Sequence, residues 1–488
     1  MPPAIRLSKS RYMAGLQCPK MLWWRVHEPD APELQTGPEQ QAVFDAGNHV
    51  GEVAREHVPG GVLVDFQHYQ VSEKIAATAE ALAQGAKVVY EASFMADDIF
   101  VSVDILERKR GGFVLSEVKG TLDVKEQHIP DVAVQLHVVR QSGLTVKRAE
   151  VMHLNRECRH PDLSNLFVRE NVTAQAEAEA RAVPKQASSL LKTLRGSMPS
   201  VEPGAHCTDP YECPFTGRCW PTLPKHHVST LYRISRKKTT QLVEAGRHTL
   251  ADLPSDFAAT GAALRQIESV RKRRLVVAPN LADALSELTA PLAFLDFETV
   301  SLPIPAWPGC SPYAQIPVQF SCHMMTPRGL AHSAWIAEGP ADPREALAAA
   351  LLDACSGAET VLAYNAPFEK RCIMGLKEAV PRFAKKLTQL HDRIADLLPI
   401  VRDHVYHPDF NGSFSIKQVL PALVHNLSYD DLEIHDGSAA SAALASLLFQ
   451  ADLSVTARRK LKRDLLAYCE RDTLAMVRLY ERLGELGG

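Results

Sequence analysis

The apolar run Leu292–Leu295 leads directly into Asp296 and Glu298, and this short stretch constrains the fold of the chain more than any other. An apolar run of this kind predicts a buried strand. Alternate residues of a strand face the same way, so Asp296 and Glu298 should project together from the end of that strand. Two carboxylates held side by side repel each other unless a cation lies between them. The stretch therefore predicts a sheet that carries a divalent metal site.

Partners for this pair follow later in the chain. Glu369, with Asn365 before it, comes just after a second apolar run that predicts a strand. Tyr468 and Asp472 are four residues apart in a predicted helix, which puts both on one face. Magnesium and manganese prefer carboxylate oxygen and water as ligands. Acids on a strand, a loop and a helix suit hydrolysis of a phosphodiester bond by two metal ions, with a tyrosine to orient the attacking water.

This pattern resembles that of the DEDD (DnaQ-like) 3′–5′ exonucleases of the RNase H-like superfamily, in the subtype with tyrosine. The resemblance covers about residues 290–485. It implies an RNase H-like mixed-sheet domain in which five residues are catalytic, with the four acids as metal ligands: Asp296, Glu298, Glu369, Tyr468 and Asp472. Most such enzymes carry aspartate at the position of Glu369. Asp396 is a candidate supplementary acid.

A second group of charged residues lies in the first quarter of the chain. Three β-rich runs with a turn at Gly111–Gly112 predict an antiparallel meander. Asp104 ends the second run, and Glu117 and Lys119 follow in the third. Two carboxylates on adjacent strands can hold a divalent metal, and the lysine can neutralise developing charge or position water. A surface meander with ordinary charges is the alternative.

The spacing D-(x)12-E-x-K, followed by Gln135 on a predicted helix, resembles the PD-(D/E)XK nucleases of RecB type, particularly the CRISPR-associated members with an iron–sulfur cluster. The resemblance implies four catalytic residues, with the two acids as metal ligands: Asp104, Glu117, Lys119 and Gln135. In that family an early helix contributes a histidine; here Gly51 stands at the expected position, with His49 nearby and Glu52 as the alternative ligand. Val139 replaces the tyrosine of the family's Q-x-x-x-Y motif. A degenerate domain that only binds DNA is the alternative.

Four of the ten cysteines form a group of their own. Cys18 lies far upstream, and Cys207, Cys213 and Cys219 form a C-x5-C-x5-C run rich in turn residues. In a long chain without a secretory signal, metal ligation explains cysteines better than disulfides do. These thiolates can enclose a 4Fe–4S cluster, for which zinc held by four thiolates is the chemical rival. The iron–sulfur RecB-like nucleases have the same order, with one cysteine before the nuclease core and three after it, and their cluster clips the chain ends together.

Other segments carry weaker patterns. Residues 223–290 predict a mostly helical connector, in which a helix, a turn at Gly246 and a second short helix resemble a helix-hairpin-helix element. Such an element would present backbone amides with Lys237 and Lys238 to phosphates, without reading sequence; a plain helical linker is the alternative. The alanine-rich residues 171–196 predict one long helix. The other six cysteines are predicted to be small buried hydrophobes: Cys158, Cys310, Cys322, Cys355, Cys372 and Cys469.

Composition excludes several classes of protein. The formal charge of −3 excludes a globally basic nucleic-acid coat, so any contact with nucleic acid must use local basic patches. The chain has no run of about 20 apolar residues, so no membrane span is expected. Its first residues lack the apolar core of a secretory signal, so a cytoplasmic location is expected.

The chain is therefore expected to be an α/β protein of three parts: an iron–sulfur RecB-like PD-(D/E)XK (restriction-endonuclease-like) domain at 1–222, a helical connector at 223–290 and an RNase H-like DEDD domain at 291–488. As a whole it resembles uncharacterised bacterial proteins that join these two nuclease types. The resemblance implies a nuclease dependent on Mg²⁺ or Mn²⁺, an exonuclease more than an endonuclease, acting on DNA ends or single strands in repair or defence. The alternative is a nucleic-acid-binding factor with one or both sites degenerate.

Overall fold

The computed structural model describes residues 6–488 of the chain. The chain is a mixed α/β protein that divides into two compact units. Unit 1 runs up to Pro221 and also contains the loop Leu302–Tyr313. Unit 2 comprises Thr222–Ser301 and Ala314–Gly488. The segment predicted as a helical connector therefore belongs to unit 2, and a short loop from the predicted C-terminal domain belongs to unit 1.

A seven-stranded mixed sheet forms the centre of unit 1. Its strands are β1 (Leu7–Ser8), β2 (Val62–Leu63), β3 (Val88–Ala96), β4 (Ile99–Lys109), β5 (Gly112–Lys119), β6 (Val146–Leu154) and β7 (Phe167–Asn171). They are hydrogen-bonded in the order β2-β3-β4-β5-β6-β7, and β1 pairs with β4. The pairs β3–β4 and β4–β5 are antiparallel, which is the predicted meander. The pair β5–β6 is parallel, so the sheet is mixed.

The helices of unit 1 are α1 (Lys9–Gln17), α2 (Pro19–His27), α3 (Pro38–His57), α4 (Val71–Ala83), α5 (His128–Gln141), α6 (Thr173–Ala180), α7 (Val183–Arg195) and α8 (Thr216–Cys219). Helix α5 is buried along most of its length and contacts β3, β4 and β6. The prediction of one long helix over 171–196 is wrong, because that segment contains the end of β7 and two helices. Pro184 lies in the first turn of α7, where it lacks the amide hydrogen that a continuous helix would need.

A five-stranded mixed sheet forms the centre of unit 2. Its strands are β9 (Leu292–Ser301), β10 (Gln315–Thr326), β11 (Gly329–Ile336), β12 (Thr360–Ala363) and β13 (Ile394–Asp396), while β8 (Val276–Val277) and β14 (Val405–Tyr406) form a separate pair. The order is β11-β10-β9-β12-β13. Strands β9, β10 and β11 pair antiparallel, and β9, β12 and β13 pair parallel. The strand predicted from the run Leu292–Leu295 is therefore the central strand of the sheet.

The helices of unit 2 are α9 (Arg236–Glu244), α10 (Gly261–Lys272), α11 (Leu281–Ser286), α12 (Arg344–Ala354), α13 (Pro367–Ala379), α14 (Ala384–Asp392), α15 (Leu397–His404), α16 (Ile416–Leu423), α17 (Gly437–Phe449) and α18 (Val455–Gly487). Alternate residues of β9 pack into two cores. Leu295 and Phe297 join the core built with α12 and α13, whereas Phe294 packs with α18. Asp296 and Glu298 therefore continue the face of β9 that α18 covers.

The segment with the predicted helix-hairpin-helix contains one α-helix, α9, in its first part. The turn that follows it contains Gly246 with φ +73°, which a glycine adopts without strain. The second predicted helix is only a short 3₁₀ turn at Leu250–Asp252. Lys237 and Lys238 are exposed on α9. In the described part of the chain, no helix combines the length and the apolar character that crossing a membrane requires.

Candidate functional site

Asp296 and Glu298 lie within β9 and not at its end, because β9 pairs with β10 as far as Ser301. Their carboxylate oxygens and the sulfur of Cys469 lie within 4.8 Å of one another. Cys469 Sγ is 3.7 Å from Asp296 Oδ2. The two acids thus share one side of the strand, as the alternation of residues predicts.

Two acids on helices join this pair. Glu369 lies in the first turn of α13, and Asp472 lies in α18. Burial raises the pKa of Asp296 well above its usual range, and the charges of the three other acids raise it further. Burial, followed by the charge of Asp472, also raises the pKa of Glu298. The structure therefore brings together four acids from three elements that are distant in the chain.

The carboxylate of Glu369 needs a partner for one of its oxygen atoms. Its side chain is 3% exposed, and its Oε2 atom has no hydrogen-bond partner among the described residues. Burial raises the pKa of Glu369 to about 7. A buried carboxylate oxygen without a donor is costly, and a hard divalent cation is the partner that several converging carboxylates suit. The four acids therefore fit a Mg²⁺ or Mn²⁺ site.

Asp396, the candidate supplementary acid, has a capping role. Its Oδ1 accepts hydrogen bonds from the backbone amides of Leu398 and Asn365, each at 3.0 Å. The first bond caps α15, and the second fixes the turn at Asn365, where φ is +73°. Asn365 itself is exposed. The charge of Asp396 contributes to the raised pKa of Glu369, so this acid supports the site from outside the group of four.

Two residues that sequence reasoning missed contact Tyr468 and Asp472. The ammonium group of Lys417, in the first turn of α16, donates a hydrogen bond to the Tyr468 hydroxyl at 2.9 Å. The hydroxyl of Tyr429 donates to Asp472 Oδ1 at 2.6 Å. The charge of Lys417 acts to lower the pKa of both Glu298 and Asp472. A single lysine and a single tyrosine outside any acid motif give no spacing that could have identified them.

In unit 1, the predicted residues also come together. Asp104 lies within β4, and its Oδ2 accepts a hydrogen bond from the backbone amide of Val118 at 2.6 Å. Lys119 Nζ lies 2.7 Å from Glu117 Oε1. Gln135, on α5, donates to Glu117 Oε2 at 2.7 Å. Glu117 is therefore the residue on which the other side chains of this site converge.

Two further residues complete the charges around Glu117. Lys9, the first residue of α1, lies 2.7 Å from Glu117 Oε1 and 3.3 Å from Asp131 Oδ1. Asp131 also pairs with Lys119 at 2.5 Å. Burial acts to raise the pKa of Glu117, but Lys119 and Lys9 hold it well below its usual range. Burial and the charge of Glu117 raise the pKa of Asp104.

A further carboxylate of unit 1, that of Glu91, lies opposite Asp104. Glu91 has φ +57° and interrupts the pairing of β3 with β4 between Tyr90 and Ala92. It lines one cavity together with three other acids: Glu52, Asp104 and Glu117. Sequence reasoning missed Glu91, because a glutamate within a β-rich run carries no motif. The alternative ligand Glu52 lines the cavity, whereas His49 does not and is 59% exposed.

The four cysteines singled out by the sequence line one cavity. Cys18 separates α1 from α2, and the other three follow α7. Burial raises the pKa of Cys213, and the other three thiols raise it further. Trp24 and Phe215 pack against the cysteines, so the cavity has an apolar wall.

The remaining six cysteines are all buried, as predicted. Two of them, Cys322 and Cys355, lie side by side, with their sulfur atoms 3.9 Å apart. Cys469 differs, because its sulfur also approaches the backbone oxygen of Asp296 at 3.8 Å. It therefore packs the base of the acid group of unit 2.

No curated protein matches the chain. Residues 293–415 are similar to a sequence family described as a domain of unknown function, DUF2779. The matched segment begins in β9 and includes Asp296, Glu298 and Glu369, and it ends before Lys417 and Asp472.

Proposed function

We propose that the chain is a metal-dependent nuclease and that the four acids of unit 2 form its principal catalytic site. The observation that carries this proposal is the side-by-side placement of Asp296 and Glu298 on β9, with the charges of Glu369 and Asp472 acting on both. Burying like charges together destabilises a fold, and such groups occur where function needs them. The mixed sheet of unit 2 and this acid group support the resemblance to DEDD exonucleases of the RNase H-like type.

Bound divalent cations would supply a water of lowered pKa and would offset the charge on the leaving oxygen. The chain's own residues bind and orient the reactants. Tyr468 receives a hydrogen bond from Lys417, which fixes its hydroxyl for contact with the attacking water. Lys417 carries the positive charge nearest to this hydroxyl, where a phosphate oxygen of the substrate can pair with it.

Unit 1 supports a second candidate function. Its acids resemble a PD-(D/E)XK site, and Glu52, Glu91 and Asp104 are available to a cation in one cavity. Both oxygens of Glu117, however, already accept hydrogen bonds, from two ammonium groups and one amide. Val139, at the position of the family's tyrosine, is fully buried in the core and offers no hydroxyl. These two observations favour nucleic-acid binding, with cleavage in unit 1 weaker or absent.

For the four cysteines we propose a 4Fe–4S cluster. A single tetrahedral zinc at about 2.3 Å from each thiolate would bring every pair of sulfurs to about 3.8 Å. The C-x5-C-x5-C spacing of this chain is wider than the C-x2-4-C spacing usual for such zinc sites, which favours a group with several metal atoms. Helix α1 runs from Lys9 to Gln17, so the cluster ligand Cys18 and the partner of Glu117 lie at opposite ends of one short helix. The cluster would thereby hold Lys9 in position.

The nuclease proposal is tested by incubating the full chain with end-labelled single-stranded DNA and, separately, single-stranded RNA. We expect cleavage of DNA in Mn²⁺ or Mg²⁺ and none in EDTA, since the proposed mechanism needs a bound metal ion to lower the pKa of the attacking water. Products that shorten stepwise from one end would identify an exonuclease. Metal-independent binding without cleavage would instead support the nucleic-acid-binding alternative.

The cluster proposal predicts a brown protein with about four iron atoms per chain when it is purified without oxygen. Cys213→Ala should lose the visible absorbance and most of the iron, because one of four ligands is removed. Cys158→Ala is the matched control, since it changes another buried cysteine of unit 1 that lies outside the four. A colourless protein with one zinc would contradict the cluster, and so would unchanged iron in Cys213→Ala.

A further inference from the structure

Three side chains outside both acid groups lie together in unit 2. His323 lies on β10, His332 on β11 and Glu470 on α18. One ligand atom from each of these residues lies within 4.8 Å of the other two. The two imidazole rings are stacked, with centroids 4.5 Å apart and an angle of 28° between their planes. Three separate elements therefore contribute a ligand atom to one small volume.

Two hydroxyl groups hold the imidazole rings. His323 Nδ1 is hydrogen-bonded to Thr473 Oγ1 at 2.8 Å, and His332 Nε2 to Ser321 Oγ at 2.9 Å. The hydroxyls of Ser321 and Thr473 are 2.7 Å apart and bonded to each other. Metal-binding histidines are usually oriented in this way, by a hydrogen bond from the nitrogen that does not bind the metal. The nitrogens left over are Nε2 of His323 and Nδ1 of His332.

The carboxylate of Glu470 faces the second of these nitrogens. Its Oε1 lies 3.7 Å from His332 Nδ1, which is too far for a hydrogen bond and leaves room for an ion to bind both. His323 is buried, and burial, with the charges of His332 and Arg478, lowers its pKa to about 4. Arg478 is itself paired with Glu481 at 2.8 Å.

We propose that His323, His332 and Glu470 form a binding site for a first-row transition metal, Zn²⁺ in the first place. Imidazole nitrogen suits zinc and its neighbours, whereas Mg²⁺ prefers an all-oxygen site, so this site should exclude the metal that the acid group takes. Three protein ligands leave a fourth tetrahedral position for water. The site is separate from the acid group, because Glu470 and Asp472 are two residues apart on α18 and point about 200° apart around the helix.

A metal at this position would join three elements that are otherwise held by packing and backbone pairing. Strand β11 is an edge strand whose side chains are mostly exposed. The metal would tie it to α18, the helix that also carries Tyr468 and Asp472. Transition-metal binding should therefore raise the thermal midpoint of unit 2. This inference is independent of the proposed nuclease activity, since its readout is metal bound per chain.

The test is a titration of the metal-free full chain with Co²⁺, monitored by visible and near-ultraviolet absorption. Zn²⁺ is then added to displace the bound Co²⁺. With excess Mg²⁺ present to occupy the acid group, we expect one equivalent of Co²⁺ beyond any that the four cysteines bind. Its visible bands should lack the intense near-ultraviolet absorption of thiolate ligands. Zn²⁺ should displace it and a large excess of Mg²⁺ should not. Thiolate absorption alone would show that only the cysteines bind cobalt, and that result would overturn the proposal.

His332→Gln and Glu470→Gln should each weaken Co²⁺ binding at least tenfold, because each removes one of three ligands. Both side chains are partly exposed, at 29% and 49%, so neither substitution should unfold unit 2. His391→Gln is the matched control: His391 is also 29% exposed and lies 3.2 Å from a carboxylate, that of Asp392. Unchanged Co²⁺ affinity in both ligand variants, relative to this control, would overturn the proposal.

Discussion

Asp296→Asn should reduce the rate of metal-dependent cleavage by the full chain on the order of 10³-fold. Bound metal ions contribute several kcal/mol of transition-state stabilisation, and each 1.36 kcal/mol corresponds to a factor of ten in rate. The charges of the three other acids all raise the pKa of Asp296. The negative charge of Asp296 is therefore the one most needed to hold a cation among the four acids. Asparagine keeps the shape of the side chain and removes that charge. The measurement is the initial rate on end-labelled single-stranded DNA in Mn²⁺.

Two other variants are needed to interpret the rate of Asp296→Asn. Asp392→Asn is the matched control, because Asp392 is a largely exposed carboxylate of unit 2 with a single histidine partner. It should cleave at the rate of the unsubstituted protein. Asp104→Asn tests unit 1 in the same assay, and we expect it to retain most of the activity. Full activity in Asp296→Asn with loss in Asp104→Asn would move the catalytic site to unit 1, and full activity in both would contradict the assignment of cleavage to either acid group.

Local periodicity is what made these acids predictable. Asp296 and Glu298 share a strand face because side chains alternate along a strand, and Tyr468 and Asp472 share a helix face because four residues make about one turn. The same reasoning could not give the length of β9. The apolar run ends at Leu295, but the strand continues to Ser301, since its pairing with β10 supplies backbone hydrogen bonds whatever the side chains are.

Long-range contacts were beyond reach of the sequence. Lys9 is 108 residues from Glu117, and Lys417 is 51 residues from Tyr468, so no motif spacing links either pair.

Strand β11 was missed for another reason. Its side chains are mostly exposed, so it lacks the apolar alternation that identifies a strand, and His332 was missed along with it. The helix expected over 171–196 failed because alanine content was given more weight than the break that Pro184 imposes.

Lys417→Met should reduce the cleavage rate on the order of 10²-fold and shift the pH–rate profile to higher pH. The substitution keeps most of the length of the side chain and removes the hydrogen bond to the Tyr468 hydroxyl, which then loses its fixed orientation. It also removes the positive charge that acts to lower the pKa of Glu298 and Asp472. Both acids then bind protons more tightly, so a higher pH is needed before they are ionised and able to hold a cation.

The shift of the pH–rate profile separates this role from a purely structural one. Loss of packing at Lys417 would lower the rate equally at every pH, whereas loss of its charge costs most at low pH and least at high pH. Lys417→Arg should recover part of the rate and most of the profile, because the charge is restored. Lys386→Met, at an exposed lysine of α14, is the matched control and should change neither. An unaltered profile in Lys417→Met would show that this ammonium group does not act on the acids of unit 2.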